Sequence, residues 1–238
     1  MNVLVLGASG ATGKLVLIQL VQRKINTRIL IRESAVIPEE FLDHPLVEIV
    51  RGNIIEQDPS DLDRLLRDCD VVISCLGHNL SLQGMYGQPR YLVLDAIRNL
   101  SLAVKNTTRK KIKIILMSTT AYTNKQAGEK NSPGERIVFS LLMGLLPPHR
   151  DNVKAADFLV KEIGNQDEYI EWVAVRPDTL IDQDLVSGYE SYESPQRSPI
   201  FDAGEISRIN VSHFMAQLAA DENLWNQWLF KTPVLYNQ

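Results

Sequence analysis

Cysteine is scarce in this sequence, and the features that mark several specialised protein classes are absent with it. The 238 residues include two cysteines, Cys69 and Cys75, too few for a disulfide framework or a cysteine-based metal site. The four histidines lie apart, without the spacing of metal ligands. We therefore expect no metal site, and the sparse thiols favour a reducing cytoplasm.

Long apolar runs and an excess of basic charge are missing as well. No apolar stretch approaches the roughly 20 residues of a membrane-spanning helix, and no basic region precedes the first apolar run, so we expect no signal peptide. The 25 basic and 29 acidic residues give a net charge of −4, which argues against nucleic-acid binding. A small-molecule partner is expected instead, and a homodimer stays open.

The most informative stretch is the first line, MNVLVLGASGATGKLVLIQLVQR. Residues 3–6 predict a buried strand, and the pattern after Gly13 predicts a helix. Between them, Gly7 allows a sharp turn, Gly10 leaves the backbone open to a pyrophosphate, and Gly13 lets the helix pack closely. Free N–H groups at a helix start also attract phosphate. The expected phosphate-binding residues are Gly7, Ser9, Gly10, Ala11, Thr12 and Gly13.

Apolar runs alternate with helical patterns along the rest of the chain, which is typical of an α/β fold. We predict further strands at residues 27–32, 47–50, 70–75, 112–117 and 170–176. The predicted fold is a single Rossmann-like domain over residues 1–238, a doubly wound parallel sheet with helices on both faces. Substrate-side loops are expected near residues 79–90, 123–148 and 178–205.

Residues 135–148, within the second of these loops, are strongly apolar and end in two prolines. One interpretation is a buried helix that the prolines stop. The other is a lid or a dimer face beside the substrate.

The spacing Gly-x-x-Gly-x-x-Gly, here GASGATG, resembles that of the short-chain dehydrogenase/reductase superfamily. It is most similar to the atypical NAD(P)H-binding branch, which includes NmrA-like and biliverdin-IXβ-reductase-like proteins. The resemblance implies that Asn53 and Ile54 close over the adenine and that Pro177 lies against the nicotinamide. Independently, ligands of such sheets bind at the carboxyl ends of strands, which places Cys75, Leu76 and Gly77 beside the ribose and pyrophosphate. His78 follows directly, but loop histidines are commonly just exposed, so we assign it no role.

Arg32 and Glu33 end the second predicted strand, where the choice between NAD and NADP is made. An acidic residue there binds the ribose 2′-OH of NAD, whereas an arginine accommodates the 2′-phosphate of NADP. Arg32 comes first and Glu33 can point to solvent, so we favour NADP(H) over NAD(H).

The resemblance also implies a catalytic serine and a Tyr-x-x-x-Lys pair, and here the match is incomplete. Ser118 ends the fifth strand as the serine does, and Lys154 fits the lysine that holds the nicotinamide ribose. Arg150 occupies the tyrosine position, and arginine stays protonated near neutral pH, so it holds a substrate rather than exchanging a proton. Tyr122, four residues beyond Ser118, is a second source of a hydroxyl.

Three functions follow from this incomplete match. The first is an NADP(H)-dependent oxidoreductase that transfers hydride to or from a small organic substrate without the usual tyrosine. The second is a regulatory protein that senses NADP(H) without turnover, as the NmrA-like resemblance permits. The third is a nucleotide-sugar epimerase or dehydratase, for which the chain is short.

Overall fold

A computed structural model describes residues 1–78, 86–107 and 110–238. Ten strands lie in these residues: β1 Asn2–Leu6, β2 Asn26–Ile31, β3 Val47–Arg51, β4 Val71–Ser74, β5 Ile112–Met117, β6 Ile170–Pro177, β7 Thr179–Ile181, β8 Tyr189–Tyr192, β9 Glu205–Ser207 and β10 Val234–Asn237. Eight of them form one sheet in the order β3-β2-β1-β4-β5-β6-β10-β8. All neighbours in it are parallel except β10 and β8. The strand order reverses between β1 and β4, so a crevice opens there at the carboxyl ends.

Seven α-helices are defined in the described part of the chain: α1 Ala11–Gln22, α2 Pro59–Leu66, α3 Leu92–Thr107, α4 Pro133–Leu145, α5 Pro147–Phe158, α6 Arg208–Ala220 and α7 Glu222–Trp228. α1 packs on α6 over one face of the sheet, and α3 packs on α2 and α5 over the other. No helix of this described part is long and apolar enough to cross a membrane.

The strands are apolar at consecutive positions because both faces of the sheet are covered. In β1, Leu4 and Leu6 join the core beneath α3, while Val3 and Val5 join the core beneath α1. The predicted doubly wound α/β fold is confirmed, with β10 and β8 extending the sheet beyond β6.

Helix α4 corrects one expectation. Ser132 and Glu135 form a reciprocal capping box at its start, and the following prolines open α5 instead of merely ending a helix. The buried-helix interpretation of residues 135–148 is wrong for most of the segment: Phe139 is buried, but Ile137 and Leu145 are 65% and 64% exposed. The lid or dimer face remains a prediction. Of the loop expected near 79–90, residues 79–85 lie outside the described residues.

The segment between β5 and α4 is tied to the sheet by a buried arginine. The Arg176 guanidinium, fully buried in β6, binds both carboxylate oxygens of Glu129 at 2.9 and 2.7 Å. It also donates to the backbone carbonyls of Tyr122, Glu193 and Thr232. These bonds compensate the buried positive charge of Arg176 and hold the segment that follows β5 against the sheet.

Candidate cofactor-binding site

The glycine turn after β1 is held by contacts that exclude any side chain. Gly7 has φ +77°, and a Cβ there would lie 2.6 Å from the carbonyl oxygen of Cys75. At Gly13 a Cβ would lie 2.1 Å from the Gly7 carbonyl oxygen, so the first turn of α1 packs directly on the turn. Gly10, by contrast, is exposed and is the N-cap of α1, where no side chain caps the helix. The first N–H groups of α1 therefore fit a phosphate.

A cavity of about 430 Å³ opens in front of this turn, at the reversal between β1 and β4. The predicted cofactor residues that line it are Gly7, Ser9, Gly10, Ala11, Thr12, Arg32, Asn53, Ile54, Cys75, Leu76 and Gly77. Residues that the sequence did not single out, or to which it gave no role, also line it: Leu6, Leu30, Ile31, Gly52, His78, Gln88, Pro89, Leu92 and Met117. The cavity thus runs along the carboxyl ends of β2, β1 and β4 and reaches the end of β5.

Three predicted cofactor residues lie outside the lining of this cavity. Gly13 is buried behind the turn, where its contact is with Gly7. Pro177 is buried at the end of β6, and its carbonyl accepts the N–H of Thr120 at 3.4 Å. Lys154 is exposed on α5. Their cofactor contacts remain predictions.

The end of the cavity beside β2 carries positive charge. Arg32 is exposed and lines it, whereas Glu33 does not. The Arg51 guanidinium, at the end of the neighbouring β3, donates to the carbonyl oxygens of Glu33 and Ala35 at 2.9 and 3.4 Å. Arg51 thereby holds the backbone that follows Arg32.

Asn53 and Ile54 form a compact turn after β3. The Asn53 side chain donates to Glu56 at 2.8 Å and accepts the N–H of Ile55 at 3.3 Å. Ile54 is 4% exposed and joins the core beneath α3. The turn is therefore braced from within, and it presents a rigid wall to the cavity.

His78 is held by a buried acid from a distant part of the chain. Its Nε2 lies 2.8 Å from Oδ2 of Asp151, and the two side chains are 4% and 0% exposed. The Asp151 carboxylate also accepts the N–H groups of Val93 and Leu94. One carboxylate thus caps the start of α3 and fixes His78 in the cavity wall. The expectation that His78 is simply exposed is wrong.

Ser118 and Tyr122 occupy different environments beyond β5. Ser118 is 7% exposed, and its Oγ has no hydrogen-bond partner in the described residues. It follows Met117, which lines the cavity. Tyr122 is 3% exposed and lines other cavities. Burial, reinforced by the Asp157 carboxylate, raises the pKa of Tyr122.

Arg150 and Lys154 both contact the ring of Tyr91, the residue before α3. The Arg150 Cζ and Lys154 Nζ lie 5.3 and 4.8 Å from the ring centroid. Lys154 Nζ also lies 3.5 Å from the Tyr91 hydroxyl. The two cations, spaced one turn apart on α5, therefore surround one phenol.

A model of the NAD(P)H-binding family matches residues 7–222. The chain belongs to this NAD(P)H-binding family. The match includes the glycine turn and every other residue that lines the cavity except Leu6. No curated protein matches the sequence significantly.

Solved structures share the fold over the whole chain. A short-chain dehydrogenase/reductase from Veillonella parvula in complex with NADP is 17% identical, with a TM-score of 0.69 over 99% of this chain and 94% of that chain. A candidate NADH-flavin reductase from Streptococcus pneumoniae is 16% identical, with a TM-score of 0.69 over 100% of both chains. ChuY, an anaerobillin reductase from Escherichia coli O157:H7, is 16% identical, with a TM-score of 0.65 over 100% and 97%. At 16–17% identity, these structures show that the chain shares their fold.

Proposed function

We propose that this protein is an NADP(H)-dependent oxidoreductase that transfers hydride to or from a small organic substrate. One observation carries the proposal: the cavity joins a phosphate-binding turn to Arg32 at one end and to Met117, next to Ser118, at the other. This is the arrangement needed to hold a dinucleotide with its reactive end beside polar groups. The NADP complex and the reductase names among the structural relatives support it.

Arg32 supports NADP(H) as the preferred cofactor. It is the charged residue after β2 that lines the cavity, and a guanidinium binds phosphate oxygens in a planar, two-pronged way. Arg51 strengthens the case because it orders the same backbone segment and adds a second positive charge nearby. Glu33, the residue that would favour NAD, stands outside the cavity lining.

The bound cofactor would supply the hydride, and the chain would supply position and charge. The uncapped start of α1 would bind the pyrophosphate, and Lys154 would bind the nicotinamide ribose. The Ser118 hydroxyl, buried and unpartnered in the described residues, suits a hydrogen bond to a substrate oxygen. Arg150 would attract an anionic or carbonyl group without exchanging a proton.

Binding without turnover is the second candidate function. The arginine at position 150 favours it, because the usual tyrosine is absent from the helix that carries Lys154. On this alternative the site reports the level of NADP(H) through binding alone.

The test separates binding from turnover. NADPH and NADH would be titrated by fluorescence, and loss of NADPH absorbance would then be followed with carbonyls, quinones, flavins and tetrapyrroles. We expect tighter NADPH binding and oxidation by at least one acceptor class. Tight binding with no oxidation by any class supports the sensor and overturns the enzyme.

Ala11→Glu tests, in both assays, whether the start of α1 is the phosphate site. Ala11 is exposed at the first position of α1, where an acidic side chain favours the helix but repels a phosphate. The variant should remain folded and lose both cofactor binding and turnover. Retained NADPH binding would show that the glycine turn is not the phosphate site.

A further inference from the structure

Tyr91 is a phenol that lies beside Lys154, the lysine of the incomplete Tyr-x-x-x-Lys motif. In the short-chain dehydrogenase pattern, tyrosine and lysine sit four residues apart on one helix. Here that helix offers Arg150 and Lys154, and the phenol beside Lys154 comes from the turn before α3. The Lys154 Nζ lies 3.5 Å from the Tyr91 hydroxyl and 4.8 Å from its ring centroid.

The position of Tyr91 is set by α3 and α5 together. Its carbonyl accepts the N–H of Asp95 at 2.9 Å, which fixes it at the start of α3. The Asp151 carboxylate accepts two N–H groups from the same helix start and lies between Arg150 and Lys154 in the sequence. The capping bonds of Asp151 therefore hold Tyr91 against these two cations.

Tyr91 does not line the cofactor cavity itself, but its neighbours in the chain do. Pro89 and Leu92 both line that cavity. His78, bound to the same Asp151 carboxylate, lines it too. Tyr91 is partly exposed, as a group that meets a substrate must be.

Charge distinguishes Tyr91 from the other candidate phenol. A tyrosine that gives up a proton becomes an anion, which nearby cations stabilise and nearby carboxylates oppose. Arg150 and Lys154 contact Tyr91. Burial raises the pKa of Tyr122, and among the charged groups the Asp157 carboxylate, which raises it further, outweighs Arg176.

We propose that Tyr91 is the proton donor of the hydride transfer, with Lys154 and Arg150 stabilising its phenolate. This inference rests on the proposed oxidoreductase function. As hydride reaches the carbon of a substrate carbonyl, the π-electron pair moves to oxygen, and that oxygen takes the proton from Tyr91 Oη. The phenolate regains a proton from water, and the two electrons come from NADPH, which is oxidised to NADP⁺.

Tyr91→Phe tests the donor because it removes the hydroxyl and keeps the ring that both cations contact. With the acceptor that the unsubstituted protein reduces, kcat should fall by about 100-fold or more, the usual contribution of a positioned general acid. The Kd of NADPH should stay within about twofold. The matched control is Tyr169→Phe, whose carbonyl pairs with Ile112 at the opposite end of the sheet, and its kcat should be unchanged.

A second variant tests the partnership with Lys154. Lys154→Met at saturating NADPH should lower kcat, and the double variant Tyr91→Phe/Lys154→Met should be no slower than Tyr91→Phe alone, because the lysine acts on the rate through the phenol. If the double variant shows the product of the two single losses in kcat, the lysine does not act through the phenol and that partnership is overturned.

The outcomes separate the two proposals. If the unsubstituted protein reduces an acceptor and Tyr91→Phe keeps its kcat within about threefold, the role of Tyr91 is overturned and the oxidoreductase stands. If the unsubstituted protein binds NADPH and reduces none, the oxidoreductase and the role of Tyr91 are both overturned.

Discussion

Asp151 on α5 binds His78 across 2.8 Å, and the exposed fractions of their side chains are only 0% and 4%. The pair joins two parts of the chain that are 73 residues apart. Because the same carboxylate caps α3, one side chain connects the cavity wall to two helices.

Asp151→Asn should lower the free energy of unfolding by about 2 kcal/mol. The amide keeps one oxygen, but its NH₂ group faces backbone donors that need an acceptor, and a buried unpaired group carries a cost of this size. Urea denaturation measures the change. Glu162→Gln is the control, because that glutamate pairs with Arg98 of the same α3 but is 58% exposed; its effect should stay below about 0.5 kcal/mol. Equal effects of the two variants would contradict the capping role.

Arg32→Glu should weaken NADPH binding by about 10-fold or more and change NADH binding much less. A charge-assisted bond to the 2′-phosphate, worth about 1.5–3 kcal/mol, is lost for NADPH alone. Fluorescence titration with both nucleotides measures the ratio. Arg67→Glu makes the same charge change at another exposed arginine and should leave the ratio unaltered. Equal weakening of both nucleotides by Arg32→Glu would refute the assignment of NADP(H).

Gly13→Ala should destabilise the fold, although alanine is the better helix former. The added Cβ would lie 2.1 Å from the Gly7 carbonyl oxygen, and the movement needed to relieve this backbone contact costs about 2 kcal/mol or more. Gly10→Ala places its Cβ 3.2 Å from the same oxygen, at an exposed N-cap. Its cost should be about 1 kcal/mol or less. Denaturant unfolding measures the free energy of unfolding of both variants. A larger loss for Gly10→Ala than for Gly13→Ala would contradict the packing described for this turn.

Neither cysteine should react quickly with a thiol reagent in the folded protein. Burial raises the pKa of Cys75 to about 12 and that of Cys69 to about 11. At pH 8 the reactive thiolate is then roughly one part in a thousand or less, against about a quarter for a free cysteine. Ellman's reagent should react slowly with the native protein and should titrate two equivalents of thiol rapidly after addition of urea. A rapid native thiol would show that the packing around Cys69 or Cys75 opens.

The sequence predicted the fold well because the patterns that indicate its strands and its glycine turn are local. Strands β1, β2 and β5 are short apolar runs that need no knowledge of distant residues, and the glycine turn is read from seven consecutive positions. The family resemblance rested on the same turn. Helix α4 was harder, because an apolar pattern does not reveal whether a neighbour covers it, and Ile137 and Leu145 are uncovered in this chain.

The candidate site could be predicted only in part, because much of it is made by contacts between distant segments. His78 meets Asp151 because the end of β4 lies beside α5, and Tyr91 meets Lys154 because α3 packs against α5. No spacing in the sequence indicates either pair. The sequence did show that the tyrosine of the motif was missing, but a replacement from another helix start is visible only in three dimensions.

The contacts of the buried Arg176 affect the order in which the protein folds during its synthesis. Its guanidinium binds Glu129, which is synthesised earlier, and the carbonyl of Thr232, which follows 56 residues later. A nascent chain that has just exposed Arg176 therefore holds a cation whose place in the core is not yet complete. The packing around β6 should finish only after Thr232 has left the ribosome, so the carboxyl half of the sheet closes late in synthesis.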